Sequence, residues 1–250
     1  MNVKLNAQDQ RLVNIIEEFL VAKNQLQALD VNNTIVLFGS ARIKNKTQAQ
    51  KELAEAIKTN TNVKEKEDAL FISQYYQYAQ ELANKLATWS ESLPAKEQFT
   101  ICSGGGGGIM EAANLGAKDA NQKSIGLNIS LPFEQKANQF LEDEHVVQFN
   151  YFFLRKFWFL YLAKGCIAFP GGFGTMDELF ELLTLKQTTK MVKQIPIVLF
   201  GKEFFTKMLN LETLEKYGLI ANVDKNLFLL TDNVNEAFEY IKSNYNAYES

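Results

Sequence analysis

The chain has 250 residues, a net charge of −3 and a pI of about 5.4, and it lacks the basic run on which a nucleic-acid-binding surface depends. No apolar run approaches the ~20 residues that cross a bilayer, and the first residues lack the apolar region of a signal peptide. These properties exclude nucleic acid and membrane as expected partners and predict a cytoplasmic protein. The hydrophobic content of 46% is ordinary for a globular protein with a proper core.

Short apolar runs alternate with longer segments of helical periodicity. In chain order, we predict strands at 34–38, 99–102, 124–129, 145–149, 166–169, 195–200 and 227–230. We predict helices at 8–29, 47–58, 69–91, 109–114, 151–163, 203–217 and 234–245, and one that starts at Thr175. The polar residues 59–68 are expected to form an exposed loop, and 131–144 an irregular or weakly helical connection.

This alternation predicts an α/β fold of the Rossmann-like class, with a doubly wound parallel sheet and helices on both faces. Residues 1–32 are expected to be an N-terminal helical extension that caps the core or forms a subunit contact, and residues 33–250 a single domain. In the 69–91 helix, the apolar stripe runs from Ile72 to Trp89. Cys102 and Cys166 lie in strand patterns and are expected to be buried free thiols, and with a single histidine in the chain we expect no zinc or other metal site.

Two glycine-rich segments each follow a predicted strand and open a helix. Residues 104–108 are five consecutive glycines, and residues 170–174 contain three. A strand, a glycine-rich turn and a helix N-terminus together make an anion site, and in a parallel sheet both turns lie at the same edge. We therefore predict a phosphate-bearing ligand. Close approach to that ligand or to the other loop would explain five glycines, and the alternative is a flexible loop.

Neither loop has the spacing of the better-known nucleotide motifs. From Gly106 and Gly108, the third position of a dinucleotide fingerprint is Glu111, and the strand at 124–129 does not end in the acidic residue that the fingerprint requires. The P-loop motif and the hydrolase nucleophile elbow are also absent from the sequence. A mononucleotide or sugar phosphate is therefore a better expected ligand than a dinucleotide or a nucleoside triphosphate.

Glu178 is the first candidate for a catalytic group, because it lies in the first helical turn after the Pro-Gly-Gly loop. Asp177 and Glu181 are neighbouring carboxylates and are the alternative candidates for this role. The alternative interpretation is structural, because Thr175 and Glu178 also have the spacing of a capping box. The expected buried face of this helix consists of Met176, Leu179, Phe180 and Leu183.

Arg155 is the second candidate, near the start of the helix after the fourth strand. Its neighbours are apolar, so its charge needs a partner, which a phosphate or the Glu178 carboxylate would supply. The alternative for Arg155 is a surface position, which is also what we expect for Lys156. The aromatic residues at 149–161 are expected to belong to the core or to a subunit interface. His145, the single histidine, has no evident partner.

Three motifs in this order resemble the LOG ("Lonely guy") family of cytokinin-activating phosphoribohydrolases, long mislabelled as lysine decarboxylases. The segment Gly105-Gly106-Gly107-Gly108-Ile109-Met110-Glu111-Ala112 resembles the first glycine-rich motif of that family. Residues 170–178 match its signature P-G-G-x-G-T-x-x-E at every fixed position, and Arg155-Lys156 resembles its upstream Arg-Lys pair. The resemblance covers roughly residues 33–202. One departure is Gly107, where many relatives have a proline, and we expect a looser first loop as a result.

The resemblance implies a Rossmann-like homodimer or higher homo-oligomer that cleaves the N-glycosidic bond of a nucleoside 5′-monophosphate. It implies that Arg155 and Glu178 are the catalytic pair, that Gly171, Gly172, Gly174 and Thr175 hold the phosphate, and that no cofactor is needed. An AMP-like purine nucleotide is the expected substrate. The residues expected to contact the substrate are Gly39, Ser40, Gly105, Gly106, Gly107, Gly108, Met110, Glu111, Lys156, Gly171, Gly172, Gly174 and Thr175.

Three other functions are considered beside this one. The same fold and loops can carry a nucleotide or a molybdopterin-type cofactor without chemistry, although a carrier has no need for a carboxylate beside a phosphate. A nucleotide sensor that acts through a partner protein is the third possibility. A lysine decarboxylase requires a Schiff-base lysine in a pyridoxal phosphate site, and neither Lys156, Lys164 nor Lys186 lies in a recognisable site of that kind.

Overall fold

A computed structural model describes residues 6–132, 136–191 and 193–247, and its centre is a seven-stranded sheet in which all neighbouring strands are parallel. The strands are β1 (Thr34–Phe38), β2 (Thr100–Ser103), β3 (Ser124–Ile129), β4 (Val146–Phe149), β5 (Ala163–Ala168), β6 (Ile197–Phe200) and β7 (Leu229–Thr231). The helices are α1 (Ala7–Ala28), α2 (Lys46–Thr59), α3 (Val63–Ile72), α4 (Gln74–Glu91), α5 (Ile109–Asp119), α6 (Phe152–Leu162), α7 (Phe173–Gln187), α8 (Lys202–Met208), α9 (Leu211–Lys216) and α10 (Val234–Ser243).

The strand order β4-β3-β2-β1-β5-β6-β7 locates the expected binding edge. The chain moves outward from β1 through β2, β3 and β4, then returns to β5 on the other side of β1. In the register, Val36 of β1 is paired with Cys102 on one side and with Cys166 on the other. Ligands of open parallel sheets bind outside the carboxyl ends of the strands where the order reverses. Here that point lies between β1 and β5, so the loops after these two strands face the crevice.

The sheet separates two hydrophobic cores, because successive side chains of a strand point to opposite faces. Val36 belongs to the core under α1, α6 and α7, whereas Ile35 belongs to the core under α4, α5 and α10. On the second face, α4 and α5 approach closely at Gly116, where a Cβ atom would overlap the Gln80 carbonyl oxygen. Every residue of β1 is buried. The doubly wound parallel sheet predicted from the sequence is confirmed.

The N-terminal helix α1 packs on α6 and on the edge strand β4. The Phe19 ring lies 5.4 Å from the Phe157 ring, and Gln25 Nε2 donates to the Val146 carbonyl oxygen at 2.9 Å. Glu18 accepts hydrogen bonds from the Asn150 and Tyr151 backbone N–H groups, each at 3.0 Å. The extension thus caps the core, which was one of its two expected roles. The boundary between residues 32 and 33 stays a prediction.

The prediction of a loop at 59–68 was wrong, although these residues are indeed largely exposed. The turn is confined to residues around Asn60 and Asn62, which adopt positive φ angles of 49° and 54°, a conformation that asparagine tolerates. The polar residues that follow form α3, in which Lys64 pairs with Asp68 at 3.1 Å. Their polarity therefore marks an exposed helix whose ion pairs are spaced by one turn.

The prediction of one helix over 69–91 was also wrong, because the chain breaks at Ser73. The Ser73 Oγ hydroxyl donates to the Leu70 carbonyl oxygen at 2.7 Å, a local bond that competes with helix continuation. Ile72 is exposed as a result, whereas the stripe from Tyr75 to Leu86 is buried as predicted. The helix predicted at 203–217 is likewise two helices, and the Asn210 side chain caps the second.

The helix predicted at 109–114 continues to Asp119. Several other boundaries differ by one to three residues, and two of them bear on the site. β5 begins at Ala163 rather than at 166, directly after α6, and α7 begins at Phe173 rather than at Thr175. Residues 133–135 of the segment predicted to be irregular lie outside the described residues, and the rest of it is irregular up to a 3₁₀ turn, Asp143–His145.

Both cysteines are buried free thiols, as predicted. Within the described part of the chain, none of the helices combines the length and the apolar character that crossing a membrane requires.

Candidate active site

A cleft of about 660 Å³ opens at the carboxyl edge of the sheet, above the point where the strand order reverses. Its walls come from the loop after β1, the first turns of α6, the start of α7 and an apolar side to which β1, β3, α5 and α6 contribute. The lining residues on the polar side are Ser40, Arg42, Arg155, Gly172, Gly174, Thr175 and Glu178. Those on the apolar side are Phe38, Met110, Ile129, Leu131, Phe152 and Phe159. The cleft therefore offers polar and apolar surfaces to one ligand.

The first turn of α7 points its backbone N–H groups toward this cleft. Gly172 is the N-cap residue and provides no side-chain cap, so the N–H groups of the first turn lack helical partners. Added Cβ atoms at Gly172 and Gly174 would meet nothing within 4 Å, whereas one at Gly171 would overlap the Thr175 side chain. The glycines at 172 and 174 thus leave open space for an anion, and Gly171 allows the loop to pack on the helix.

Glu178 and Arg155 form a buried ion pair at the base of the cleft. Arg155 Nη2 donates to Glu178 Oε1 at 3.0 Å, and the two side chains are only 12% and 5% exposed, respectively. The guanidinium carbon of Arg155 lies 5.2 Å from the Phe152 ring centroid and 5.6 Å from that of Phe159. Two aromatic rings therefore hold the arginine where it meets the carboxylate. This geometry excludes the surface alternative for Arg155.

The capping-box interpretation of Thr175 and Glu178 was wrong. It requires Thr175 to be the N-cap, but α7 starts at Phe173 and Glu178 lies more than one turn inside the helix. The buried side of α7 includes Glu178, Leu179 and Leu182, while Phe180, predicted to be buried, is exposed. A carboxylate on the buried side of a helix is a stability cost unless it is paired or protonated, and Glu178 meets this condition through its ion pair with Arg155.

Burial raises the pKa of Glu178 to about 7 from an ordinary value of 4.5, and the Arg155 charge acts in the opposite direction. Burial also lowers the pKa of Arg155, opposed by the charge of Glu178. Glu178 Oε2 and Arg155 Nε are both buried without a hydrogen-bond partner among the described residues. A carboxyl group that titrates near neutral pH beside a cleft has the property that a general acid or base needs.

The first glycine run has a different environment from the second. Gly105 and Gly108 have φ angles of 70° and 65°, and a Cβ atom at Gly108 would overlap the Ser40 carbonyl oxygen. The Asn138 side-chain amide donates to the carbonyl oxygens of Gly105 and Gly106, at 3.2 and 3.0 Å. The run is largely buried and held by hydrogen bonds, which argues against the flexible-loop alternative. The expected loosening at Gly107 stays a prediction. The backbone of this glycine run approaches the loop after β1 closely.

Two further predicted contact residues lie beside the cleft rather than in its lining. Glu111 accepts a hydrogen bond from the Tyr76 hydroxyl at 2.7 Å and lines a separate groove. Lys156 pairs with Asp177 at 2.9 Å and with Glu181 at 2.8 Å. The two carboxylates considered as substitutes for Glu178 are thus both paired with this lysine. His145 lies between Glu142 and Glu144, apart from the cleft lining.

Comparison with known proteins supports the motif assignment. A family model described as "Possible lysine decarboxylase" matches residues 110–241, more than half of the chain. The chain belongs to this family, the LOG family. A curated relative, the probable cytokinin riboside 5′-monophosphate phosphoribohydrolase LOG4 of Oryza sativa subsp. japonica, is 28% identical over 150 residues. That match spans 58% of this chain and 63% of the relative, so the chain matches less than two thirds of the relative's length.

Two solved structures share the fold. The molybdenum cofactor binding protein of Rippkaea orientalis is 17% identical, with a TM-score of 0.51 over 85% of this chain and 96% of its own. The Moco carrier protein of Chlamydomonas reinhardtii is also 17% identical, with a TM-score of 0.50 over the same shares. At these identities the likeness shows the fold alone. It covers 85% of this chain and 96% of each of the two solved structures.

The LOG-family motifs converge only in part on the cleft. The predicted contact and catalytic residues that line it are Gly39, Ser40, Met110, Arg155, Gly172, Gly174, Thr175 and Glu178. Those that do not line it are Gly105, Gly106, Gly107, Gly108, Glu111, Lys156 and Gly171. The substrate contacts and catalytic roles of both groups stay predictions.

Sequence reasoning missed several residues that line the cleft. Arg42 lies in the loop after β1, and the position of that loop at the binding edge was the signal in the sequence that pointed to it. Phe152 and Phe159 were expected in the core or an interface; Phe159 does belong to the buried core, and both residues also line the cleft. No spacing in the sequence indicated that Asn138 would hold the first glycine run, because it lies in an irregular segment.

Proposed function

We propose that this LOG-family protein is a phosphoribohydrolase that converts a nucleoside 5′-monophosphate into a free base and ribose 5-phosphate. The observation that carries the proposal is the buried Arg155–Glu178 pair in a cleft beside the N-terminus of α7. A helix N-terminus is suited to a phosphate, and a carboxyl group with a pKa near 7 is suited to proton transfer. The resemblance of the chain to a probable phosphoribohydrolase over 150 residues is consistent with this activity.

The cleft has the size and the division of surfaces that such a ligand needs. A volume of about 660 Å³ lies within the range of small-molecule sites. We place the phosphate at the open start of α7, near Gly172 and Gly174, and the base against the apolar side that includes Met110 and Phe152. An AMP-like purine nucleotide is the first substrate to test, because its large flat base would use the apolar surface fully.

In the proposed reaction, water attacks C1′ of the ribose while the bond from C1′ to the base nitrogen breaks. The electron pair of that bond leaves with the base, which gains a proton, and the water oxygen becomes the new hydroxyl of ribose 5-phosphate. Ionised Glu178 orients the water, accepts one of its protons and stabilises the positive charge that develops on the ribose. The proton that Glu178 takes from water balances the proton that the departing base gains, so Glu178 returns to its ionised form. Arg155 holds the Glu178 carboxylate in place and favours its ionised form.

The test is to incubate the purified protein with a panel of nucleoside monophosphates and to separate free bases from nucleotides by chromatography. Glu178→Gln keeps the shape of the side chain but removes its charge, and Asp177→Asn is a matched change on the exposed side of the same helix. We expect release of a base by the wild type and by Asp177→Asn, and greatly reduced release by Glu178→Gln. Equal turnover by all three proteins would contradict the role of Glu178.

The alternative is a carrier, supported by the fold that the chain shares with a molybdenum cofactor binding protein and a Moco carrier protein. The cleft is large enough for a phosphate-bearing cofactor, but a carrier that performs no chemistry has no need for the buried carboxyl group of Glu178. If no nucleotide is cleaved while one binds and raises the unfolding temperature, a carrier or a nucleotide sensor replaces the enzyme as the better proposal.

A lysine decarboxylase is the weaker proposal despite the description of the family model. Lys156 is held by two carboxylates, and Lys186 donates to the carbonyl oxygens of Ile195 and Leu227. Among the residues that the structure describes, no lysine lines the cleft. A Schiff base with pyridoxal phosphate therefore has no amine at this site. Absorbance near 420 nm in the purified protein would contradict this conclusion.

We also propose a homodimer or higher homo-oligomer in the cytoplasm. Exposed apolar side chains lie on neighbouring surfaces of α1 and α6, here called the α1–α6 face: Leu12, Ile16, Leu20, Phe153, Phe157 and Tyr161. An apolar surface of this kind marks an interaction site, and Phe152 and Arg155 on α6 place it beside the cleft. We expect Ile16→Glu to lower the mass measured by light scattering, and Val223→Glu, a change at a similarly exposed position in another region, to leave it unchanged. A monomeric wild type would contradict the proposal.

A further inference from the structure

Arg42 is a cationic side chain in the cleft to which neither the family signature nor the Arg155–Glu178 pair assigns a role. It is exposed, lies in the loop after β1 and lines the same cleft as Gly172, Thr175 and Glu178. Within the described ranges, its guanidinium has no hydrogen bond, ion pair or aromatic contact, and its one hydrogen bond is made by its backbone N–H group. The charge is thus available to a ligand.

The backbone that carries Arg42 is fixed from both sides. The Ser40 N–H group donates to the Pro170 carbonyl oxygen at 3.0 Å, which ties the loop to the Pro-Gly-Gly turn. The Ile109 N–H group donates to the Ser40 carbonyl oxygen at 3.1 Å, which ties it to the start of α5. Ser40 Oγ accepts from the Arg42 N–H group at 3.1 Å. Arg42 therefore projects from a fixed point between the two glycine loops.

The charges that line the cleft divide into a pair and a single cation. Arg155 is bonded to Glu178, and moving it onto a phosphate would leave a carboxylate that is 5% exposed without its partner. A nucleotide phosphate carries up to two negative charges near neutral pH. Of the charged residues lining the described cleft, Arg42 is the one whose side chain is not already engaged.

The composition of the chain points in the same direction. It contains 26 lysines and arginines, and only three of these, Arg11, Arg42 and Arg155, are arginines. Two of the three line this single cleft. A guanidinium presents a planar fork of donors that matches a phosphate, which an ammonium group does not. Because arginine is rare in the rest of the chain, two arginines in one cleft are stronger evidence for a phosphate site than two surface lysines would be.

We infer that Arg42 binds the phosphate of the nucleotide together with the N–H groups at the start of α7, while Arg155 stays paired with Glu178. This assignment rests on the proposed function, and it gives the two arginines separate tasks. Arg42 determines affinity for the phosphate and selects nucleotides over nucleosides. Arg155 positions the carboxylate that acts on the glycosidic bond.

The test measures binding of ribose 5-phosphate and of ribose by isothermal titration calorimetry, since neither probe has a glycosidic bond to a base. The proteins are the wild type, Arg42→Gln, Arg42→Lys and the control Arg11→Gln, a change on the exposed surface of α1. We expect Arg42→Gln to weaken ribose 5-phosphate binding about 10- to 100-fold, the usual effect of losing a charge-assisted hydrogen bond. Arg42→Lys should restore part of the affinity, and Arg11→Gln should match the wild type.

Turnover separates this inference from the proposed function. With the nucleotide that the wild type cleaves, Arg42→Gln should raise KM by a similar factor and change kcat by less than about threefold. Unchanged KM and unchanged ribose 5-phosphate affinity in a folded Arg42→Gln protein would overturn the inference and leave the activity standing. A third outcome is a wild type that cleaves no nucleotide but binds ribose 5-phosphate, with the binding lost in Arg42→Gln. That outcome would uphold Arg42 as the phosphate ligand and overturn the proposed hydrolase activity. A wild type that does not bind ribose 5-phosphate would overturn Arg42 as a phosphate ligand.

Discussion

The two glycine loops have the same place in the sequence pattern but different physical roles. Both follow a buried strand and open a helix, at Ile109 and at Phe173. The first is folded against its neighbours, with Gly108 against the Ser40 backbone and Asn138 bonded to two of its carbonyl oxygens. The second leaves open space around Gly172 and Gly174. Glycine thus serves close packing in one loop and ligand access in the other.

The difference indicates how the site is built. The first loop supports the loop after β1 from one side, and the Pro-Gly-Gly turn holds it from the other through the Ser40–Pro170 hydrogen bond. A rigid support is what a binding site requires of the residues behind it. Substitutions at Gly105 and Gly108 in the first loop should therefore act on stability, and those at Gly172 and Gly174 in the second loop on ligand binding.

The largest expected effect on stability is that of Gly108→Ala. A Cβ atom there would overlap the Ser40 carbonyl oxygen, and the φ angle of 65° strains any other residue. Backbone strain and overpacking together predict a loss of about 2–6 kcal/mol in the free energy of unfolding. Chemical denaturation monitored by circular dichroism measures it. A stable Gly108→Ala protein would remove the distinction between the loops.

Asn138→Ala should have the next largest effect. The substitution leaves the buried carbonyl oxygens of Gly105 and Gly106 without their side-chain donor and removes the bond from Asn138 to Asn114, 2.9 Å long. We expect a loss of about 1–3 kcal/mol, the usual cost of leaving buried polar groups unsatisfied. Gln139→Ala, next to it in the chain and more exposed, is the control and should unfold like the wild type.

The pH dependence of activity tests the carboxyl group that the second loop brings to the cleft. Ionised Glu178 is the proposed active form, and its pKa is raised to about 7 by burial. We expect kcat/KM to rise about tenfold per pH unit below pH 7 and to level off above it, which corresponds to about 1.4 kcal/mol per unit. A profile that is flat from pH 5 to pH 8 would show that Glu178 does not titrate in this range or is not the base.

The same raised pKa has a consequence for stability. A carboxyl group whose pKa is higher in the folded state stabilises the fold when protonated. The contribution of Glu178 is therefore complete below about pH 4.5 and is lost as the pH rises through about 7. The unfolding temperature of the wild type should fall relative to that of Glu178→Gln across this window. Parallel pH curves for the two proteins would contradict the shift.

The smallest expected effect on stability is that of Gly174→Ala, and it should have the opposite sign. Gly174 lies inside α7 without a positive φ angle, and an added Cβ atom meets nothing within 4 Å. Alanine should therefore stabilise the protein by about 0.4–1 kcal/mol. It should also weaken ribose 5-phosphate binding, because the methyl group enters the space beside the helix N-terminus. Stability measured by denaturation and affinity measured by calorimetry should thus move in opposite directions.

The order of the elements could be predicted from the sequence because it depends on local patterns. Buried parallel strands are continuous apolar runs, and the helices between them have periodic stripes. The break at Ser73 and the helix α3 could not be predicted, because they depend on one side-chain hydrogen bond and on ion pairs such as Lys64–Asp68. A pattern of apolar residues contains no information about either.

The candidate site was predictable where one motif determines it, and unpredictable where distant segments meet. The Pro-Gly-Gly motif located Glu178 in the sequence. Whether Glu178 forms a capping box or an ion pair could not be predicted, because it depends on α7 starting two residues earlier than expected. Arg42 comes from a loop more than 100 residues away from α6 and α7. Its relation to the Arg155–Glu178 pair is visible only once the strand order is known.

The most direct test of the account compares base release from a cleaved nucleoside monophosphate by the wild type, Glu178→Gln and Asp177→Asn. The loss of a positioned acid–base group predicts that Glu178→Gln lowers kcat by roughly 10²–10⁴, while ribose 5-phosphate still binds and Asp177→Asn keeps nearly full turnover. If a folded Glu178→Gln protein releases base at the wild-type rate, the buried Arg155–Glu178 pair is structural and the proposed mechanism is wrong.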